Sequence, residues 1–224
     1  MKVQSNIESL VPELNKKFSD APAEDIVGYF LQAFKGRISF FFSQHEDQTL
    51  TDIIVKTDKT ARIFTLDTGR LFPETYQLID KTNMTYGINL EVFFPNYEAV
   101  QQMVSEEGIN LFYNSIESRH RCCQVRKLEP LKRAMKGLDV WICGLRKQQS
   151  VTRKNMQVVE WDDIHNLLKV NPLINWSEED VEQYVKKHHV PYNKLQDKGF
   201  PSIGCQPCTR AIKPGEDIRA GRWW

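Results

Sequence analysis

Short runs of strand-forming residues alternate with segments of helical periodicity along most of this chain, and that alternation limits it to a few architectures. Arg37-Ile-Ser-Phe-Phe-Phe42 is apolar on both sides, as in a strand buried on both faces. Ser43-Gln-His-Glu-Asp47 follows and opens a helix carried by Leu50, Ile53 and Ile54. Arg62 to Leu66 reads as a second strand, Asp67-Thr-Gly-Arg70 as a loop, and Pro73-Glu-Thr75 as a helix start. Ile88 to Phe94 is then a strand and Asn96 to Glu107 a helix, and Asp139 to Cys143 and Met156 to Glu160 are further strands. Upstream, Ser19-Asp20 before Pro22 opens a helix through Ile26, Phe30, Leu31 and Phe34, which Gly36 ends. Ser177-Glu-Glu-Asp180 caps a helix running to about His188. The pattern predicts an α/β fold: a mostly parallel sheet with helices on both faces, and ligands bound beyond the carboxyl ends of the strands. The stretch from Val190 to Trp224 is rich in Pro and Gly and is predicted to be irregular. Residues 1–189 are therefore expected to form the α/β body, with residues 190–224 a C-terminal segment of the same domain.

Composition narrows the function classes. The 30 basic and 29 acidic side chains give a formal charge of +1, which disfavours a strongly basic nucleic-acid binder. No apolar run is long enough to span a bilayer, and the N-terminus lacks the apolar stretch of a signal peptide. The expectation is a soluble cytoplasmic protein without membrane or nucleic-acid partners. In that setting five cysteines are better read as ligands or reactive thiols than as disulfides.

Four of the five fall into two tight pairs, Cys122-Cys123 and Cys205-Gln-Pro-Cys208, with 81 residues between them. Folded together, they make a four-thiolate site of the kind that holds zinc or an iron–sulfur cluster. Adjacent residues reach two corners of one tetrahedral ion poorly, whereas a four-iron cluster offers each thiolate its own iron. The spacing favours a [4Fe–4S] cluster, and a structural zinc site is the rival that metal analysis would separate. Arg119, His120, Arg121, Arg126 and Lys127 surround the first pair, and Arg210 and Lys213 the second. Such cations offset the negative charge of a thiolate cluster and can face an anionic substrate. Cys143 stands apart in the apolar run Val140-Trp-Ile-Cys-Gly144 and reads as a small core residue.

Several loops at predicted strand ends suit an anion. The helix start after Ser43 offers free N–H groups and a favourable dipole. In Asp67-Thr-Gly-Arg70, Gly69 allows close backbone approach and Arg70 can fork onto an anion. The basic loop from Gly144 to Arg153 and the pair Arg219 and Arg222 add further donors.

From about Ile38 to Trp224 the chain resembles the assimilatory adenosine 5′-phosphosulfate (APS) reductases, the iron–sulfur branch of the sulfonucleotide reductases. The motifs are Leu66-Asp-Thr-Gly-Arg-Leu-Phe-Pro-Glu-Thr-Tyr76, Cys122-Cys-Gln-Val-Arg-Lys127, Gly144-Leu-Arg-Lys-Gln-Gln-Ser150, Asn171-Pro-Leu173, Val190-Pro-Tyr-Asn193, Gly199-Phe-Pro-Ser-Ile-Gly-Cys-Gln-Pro-Cys-Thr-Arg210 and Gly215-Glu-Asp-Ile-Arg-Ala-Gly-Arg-Trp-Trp224. The relatives that reduce the 3′-phosphorylated nucleotide (PAPS) typically lack the two cysteine pairs.

The resemblance implies an adenine-nucleotide α-hydrolase-like domain, with Cys122, Cys123, Cys205 and Cys208 as ligands of a [4Fe–4S] cluster. It implies that Ser43, Glu46 and Asp47 in one loop, and Leu66, Thr68, Gly69 and Arg70 in the other, hold the nucleotide. Arg153, Arg219 and Arg222 approach the phosphosulfate, and Lys127 lies between cluster and substrate. The implied reaction is thioredoxin-dependent reduction of APS to sulfite and AMP through an enzyme S-sulfocysteine, in assimilatory sulfate reduction. The family often forms oligomers, which allows a homo-oligomer here.

Two departures stand out. Gln44 occupies a position that is usually Gly in the family's phosphate loop. The family's nucleophilic cysteine follows the Gly-Arg-Trp-Trp motif in a short Glu-Cys-Gly-Leu-His tail, whereas this sequence ends at Trp224. The 224-residue chain is therefore expected to bind cluster and APS without turning over. A PAPS reductase and a catalytically silent sulfonucleotide-binding iron–sulfur protein are the alternatives.

Overall fold

The computed structural model describes residues 7–42, 45–149 and 153–223. Six strands form one sheet in the order β3-β2-β1-β4-β6-β5. They are β1 Ile38–Phe41, β2 Ile63–Leu66, β3 Glu91–Phe93, β4 Val140–Ile142, β5 Val159–Asp162 and β6 Leu167–Val170. β5 alone runs antiparallel to its neighbour; the other four pairings are parallel. The expected mostly parallel α/β sheet is the one that forms.

Eight α-helices are described: α1 Val11–Phe18, α2 Ala23–Ala33, α3 His45–Thr57, α4 Pro73–Tyr86, α5 Tyr97–Glu107, α6 Ile116–Cys123, α7 Glu129–Ala134 and α8 Glu178–His188. Local chemistry sets their ends. Asn96 caps α5 by accepting the Ala99 N–H, Gly87 ends α4 at φ 60°, and Ser177 with Asp180 forms a complete capping box on α8. No described helix is long and apolar enough to cross a membrane.

Three elements differ from the expectation. The strand read at Met156–Glu160 sits later, at Val159–Asp162, and forms a hairpin with β6, which periodicity did not reveal. The Asp162 carboxylate accepts the Ile164 and His165 N–H groups and Asn166 takes φ 55°, so the turn rests on aspartate and asparagine rather than glycine. A helix ahead of Ser19, α1, was also unread. So was the long helical stretch in which α6 passes through a wide π turn at Gln124–Leu128 into α7.

One sheet face is covered from β2 to β5: Ile63, Phe40, Ile142, Val170 and Val159 pack with α2 and α3 residues such as Phe30, Leu50 and Ile54. The other face is covered by α7, whose Leu131 and Ala134 pack on Phe64 and Leu66. Trp141 of β4, Lys169 of β6 and Glu160 of β5 stand in register with one another; Lys169 donates to Glu160 at 3.2 Å. At the β5 edge the Asn15 side chain donates to the Val159 C=O (2.8 Å) and accepts the Val159 N–H (3.0 Å).

Phe40 is 1% exposed at the centre of β1. Phe40→Ala is expected to destabilise the fold by about 3–5 kcal/mol, read as a lower urea midpoint at unchanged m-value.

Candidate active site

The chain leaves β1 toward β2 on one side of the sheet, while β4 lies on the other side of β1. This reversal opens a crevice beyond the carboxyl ends of β1 and β4. A cavity of about 610 Å³ lies there. Glu46 and Asp47 from the first turn of α3 face Gly144, Leu145 and Gln149 from the loop after β4. Lys127, Arg153, Lys169 and Arg219 supply its cations, Glu160, Asp162 and Asp163 add carboxylates to those of Glu46 and Asp47, and Phe41 and Trp141 also line it. Five residues expected at the substrate site (Glu46, Asp47, Lys127, Arg153 and Arg219) therefore meet in one place. Ser43 and Gln44 lie outside the described residues.

The cations are crowded. Burial lowers the Arg153 pKa, and Arg219 lowers it further. Burial by surrounding protein, then Arg222, lowers that of Lys127, although Lys127 keeps solvent contact. Such a group of cations favours an anionic ligand.

Glu46 does not stand free. Its Oε1 accepts from Nε and Nη2 of Arg146, at 3.0 and 2.9 Å, in a buried pair. Gly144 packs against the same helical turn. A Cβ there would lie 3.0 Å from the Glu46 Cβ and 3.2 Å from the Asp47 amide nitrogen, and would overlap the Asp47 carboxylate. Gly144→Ala is expected to cost about 1–3 kcal/mol and lower the melting temperature, with nucleotide binding weakened in the same variant. Thermal unfolding and AMP titration check both.

A second cavity, of about 110 Å³, lies beside the crevice. All four paired cysteines line it: Cys122 and Cys123 from the end of α6, and Cys205 and Cys208 from a tight turn at Gln206–Cys208. Backbone bonds tie the C-terminal segment down: Gln206 N–H to the Arg70 C=O (2.8 Å), Arg210 N–H to the Gly221 C=O (2.9 Å) and Trp223 N–H to the Cys208 C=O (3.2 Å). The Thr68 hydroxyl lies 3.1 Å from the Cys205 sulfur. Burial pushes the Cys122 thiol up to about 11 and raises Cys123 and Cys208.

The cavity wall is cationic. Arg126 donates to the Thr68 C=O at 2.8 Å, and Arg222 to the Ser202 hydroxyl at 3.2 Å; the Nε of each is buried without a partner. Gly204 lies so close to the Arg222 guanidinium that a Cβ would overlap it. Orphaned arginine nitrogens around four thiols fit an anionic thiolate cluster. No three His, Cys, Asp or Glu side chains among the described residues are grouped to hold a single metal ion. The thiols instead line the walls of a shared cavity.

The remaining expected residues lie on the cysteine side. Leu66, Thr68, Arg70 and Arg222 line the cysteine cavity rather than the crevice. Arg70 donates to the Ile109 C=O, and its guanidinium lies 5.4 Å from the Phe112 ring centre. Gly69 takes φ 69° beside them, its N–H bonded to Asp67 at 2.7 Å, and Asp67 also accepts from Tyr76. Lys127 lines both cavities. Cys143 is buried on the crevice wall, and burial raises its thiol pKa well above the ordinary range, which disfavours the thiolate. In the sequence Arg146 is one charge of a basic loop and Arg126 one of several cations near the first cysteine pair. Their partners, Glu46 and the Thr68 carbonyl, lie 100 and 58 residues away.

Comparison with known proteins places the chain in a family and gives its fold a solved counterpart. The family model described as phosphoadenosine phosphosulfate reductase domain matches residues 37–211. The chain belongs to the phosphoadenosine phosphosulfate (PAPS) reductase family. Within it, the chain is 52% identical over 179 residues to the adenosine 5′-phosphosulfate reductase of Allochromatium vinosum, covering 80% of this chain and 70% of that protein. It is 45% identical over 196 residues to that of Agrobacterium fabrum, covering 87% and 75%. The crystal structure of the PAPS reductase from Candida auris in a phosphate complex superposes with a TM-score of 0.79 at 25% identity, over 92% of this chain and 97% of that one. FMN adenylyltransferase from Candida glabrata shares the fold alone, at 13% identity and a TM-score of 0.56. This PAPS reductase-family chain thus carries its two cysteine pairs on a mostly parallel α/β scaffold shared with the Candida auris enzyme.

Proposed function

We propose that this protein reduces adenosine 5′-phosphosulfate to sulfite and AMP. The observation that carries the reading is the junction of the two cavities. A crevice at the switch point of the sheet, with Arg153, Arg219 and Lys127 on its wall, adjoins a cavity lined by four cysteines, and Lys127 borders both. The names of the relatives support APS as substrate.

The crevice binds the nucleotide, with Arg153 and Arg219 on its phosphosulfate. Lys127 directs its ammonium toward the sulfonate oxygens and steadies the charge that develops there. Cys122, Cys123, Cys205 and Cys208 would hold a [4Fe–4S] cluster in the cavity whose wall also carries Arg126 and Arg222. When bound, the cluster supplies a fixed charge that orders these cations.

A cysteine thiolate attacks the sulfur of APS. The bond from that sulfur to the phosphate oxygen breaks, AMP departs with the electron pair, and an S-sulfocysteine remains. One thiol of a thioredoxin-type dithiol then attacks the cysteine sulfur. Sulfite leaves with the electron pair, and the second thiol closes a disulfide in the reductant and restores the enzyme thiolate. None of the chain's five cysteines fits the nucleophile: four line the cluster cavity and Cys143 is buried. The attacking thiolate is assigned to a cysteine outside residues 1–224, as the family resemblance implies.

The test is sulfite release from APS and from PAPS by anaerobically purified protein from the whole gene, with thioredoxin and with iron and sulfide analysis. Four irons and four sulfides per chain, with sulfite formed from APS in preference to PAPS, is the expected result. Preference for PAPS, or a single zinc, would overturn it. Sulfite release by residues 1–224 alone would overturn the assignment of the nucleophile.

A further inference from the structure

The Glu46–Arg146 pair is the most deeply buried ion pair among those described, with side chains 8% and 3% exposed. It joins the first turn of α3 to the loop after β4, the two elements on either side of the crevice mouth. An acidic residue in a first helical turn suits the dipole of that helix. The same carboxylate lines the crevice together with Arg153 and Arg219, where an unpaired negative charge opposes an anionic ligand.

Arg153 stands next to this pair. The Gln149 side-chain oxygen accepts both the Arg146 backbone N–H, at 3.2 Å, and the Arg153 guanidinium. Arg153 is also within electrostatic reach of both members, attracted by Glu46 and repelled by Arg146. Without the Arg146 charge, Glu46 would be a buried anion lacking its partner, with Arg153 at hand to neutralise it.

We propose that Arg146 is a positioning residue that holds the Glu46 carboxylate away from Arg153 and so leaves Arg153 available to the anion of the bound nucleotide. Glu46 is then a counter-charge and not a contact to the ligand. The inference rests on the reading of the crevice as a nucleotide site, and it does not depend on which sulfonucleotide is reduced.

The test is calorimetric titration of AMP into anaerobically purified, cluster-loaded protein and its variants. Arg146→Gln is expected to weaken AMP binding by about tenfold or more. The double variant Glu46→Gln with Arg146→Gln should recover to within about threefold of wild type, because the competing carboxylate has gone. Glu46→Gln alone should bind AMP as well as wild type or more tightly. A merely structural role predicts a double variant at least as weak as Arg146→Gln, and that result overturns the proposal. Tenfold weaker binding in Glu46→Gln alone overturns it too, since Glu46 would then touch the nucleotide. If Arg146→Gln does not fold, Arg146→Lys, which keeps the charge, and Glu46→Gln decide: both near wild type supports the proposal, and weakening in either overturns it. Wild-type protein from the whole gene that binds AMP but does not reduce APS with thioredoxin refutes the functional reading alone. Wild-type protein that does not bind AMP refutes both.

Discussion

Serine in place of Cys205 is expected to yield protein that lacks iron and sulfide and releases sulfite more than about 100-fold more slowly than wild type, beyond the usual cost of altering a supporting residue. Cys205 sits at the junction of several contacts. Its sulfur meets the Thr68 hydroxyl, its C=O accepts the Thr209 hydroxyl at 2.9 Å, and the next residue's N–H bonds the Arg70 C=O. Serine keeps the approximate shape and the neighbouring backbone bonds, so the loss reports on the sulfur. Cys143→Ser is the matched control: its thiol is buried away from the four-cysteine cavity, and iron content should stay at the wild-type level. Iron retained in full by Cys205→Ser would remove the second cysteine pair from the ligand set.

Lys127→Ala is expected to lower kcat/KM for APS by about 10²- to 10³-fold while iron content is kept. The size of the effect follows from position. Lys127 lies in the π turn between the two cavities and lines both, so in the proposed reaction its ammonium borders the substrate's sulfonate on one side and the four cysteines on the other. AMP lacks the sulfonate, and its affinity should change by less than about threefold; the loss belongs to kcat. Steady-state kinetics with APS beside AMP titration separates the two. An equal loss of AMP affinity would make Lys127 a nucleotide-binding group and not a group directed at the reacting sulfur.

Much of this site was legible because its chemistry is local in sequence. The cysteine pairs are recognisable by spacing, and the α8 cap by Ser177 and Asp180 three residues apart. The helices through Cys122 and Cys123 were not, for a physical reason. Ile116 and Leu128 face solvent, the intervening run is charged, and the π turn shifts the periodicity that a sequence pattern relies on. The short strand β6 has four residues and a turn without glycine, so neither its length nor its boundary signals itself. Long-range pairing was the least legible. Nothing near Glu46 announces Arg146, and nothing in Asp67-Thr-Gly-Arg70 told that Thr68 and Arg70 would face the cysteines rather than the crevice.

The bonds from Asn15 to Val159 bear on how copies of this protein can associate. A side-chain amide there occupies the outward donor and acceptor of Val159. Strand addition from one molecule to the next needs an unpaired backbone edge, and at Val159 the chain's own Asn15 stands where the first bonds of a seventh strand would form.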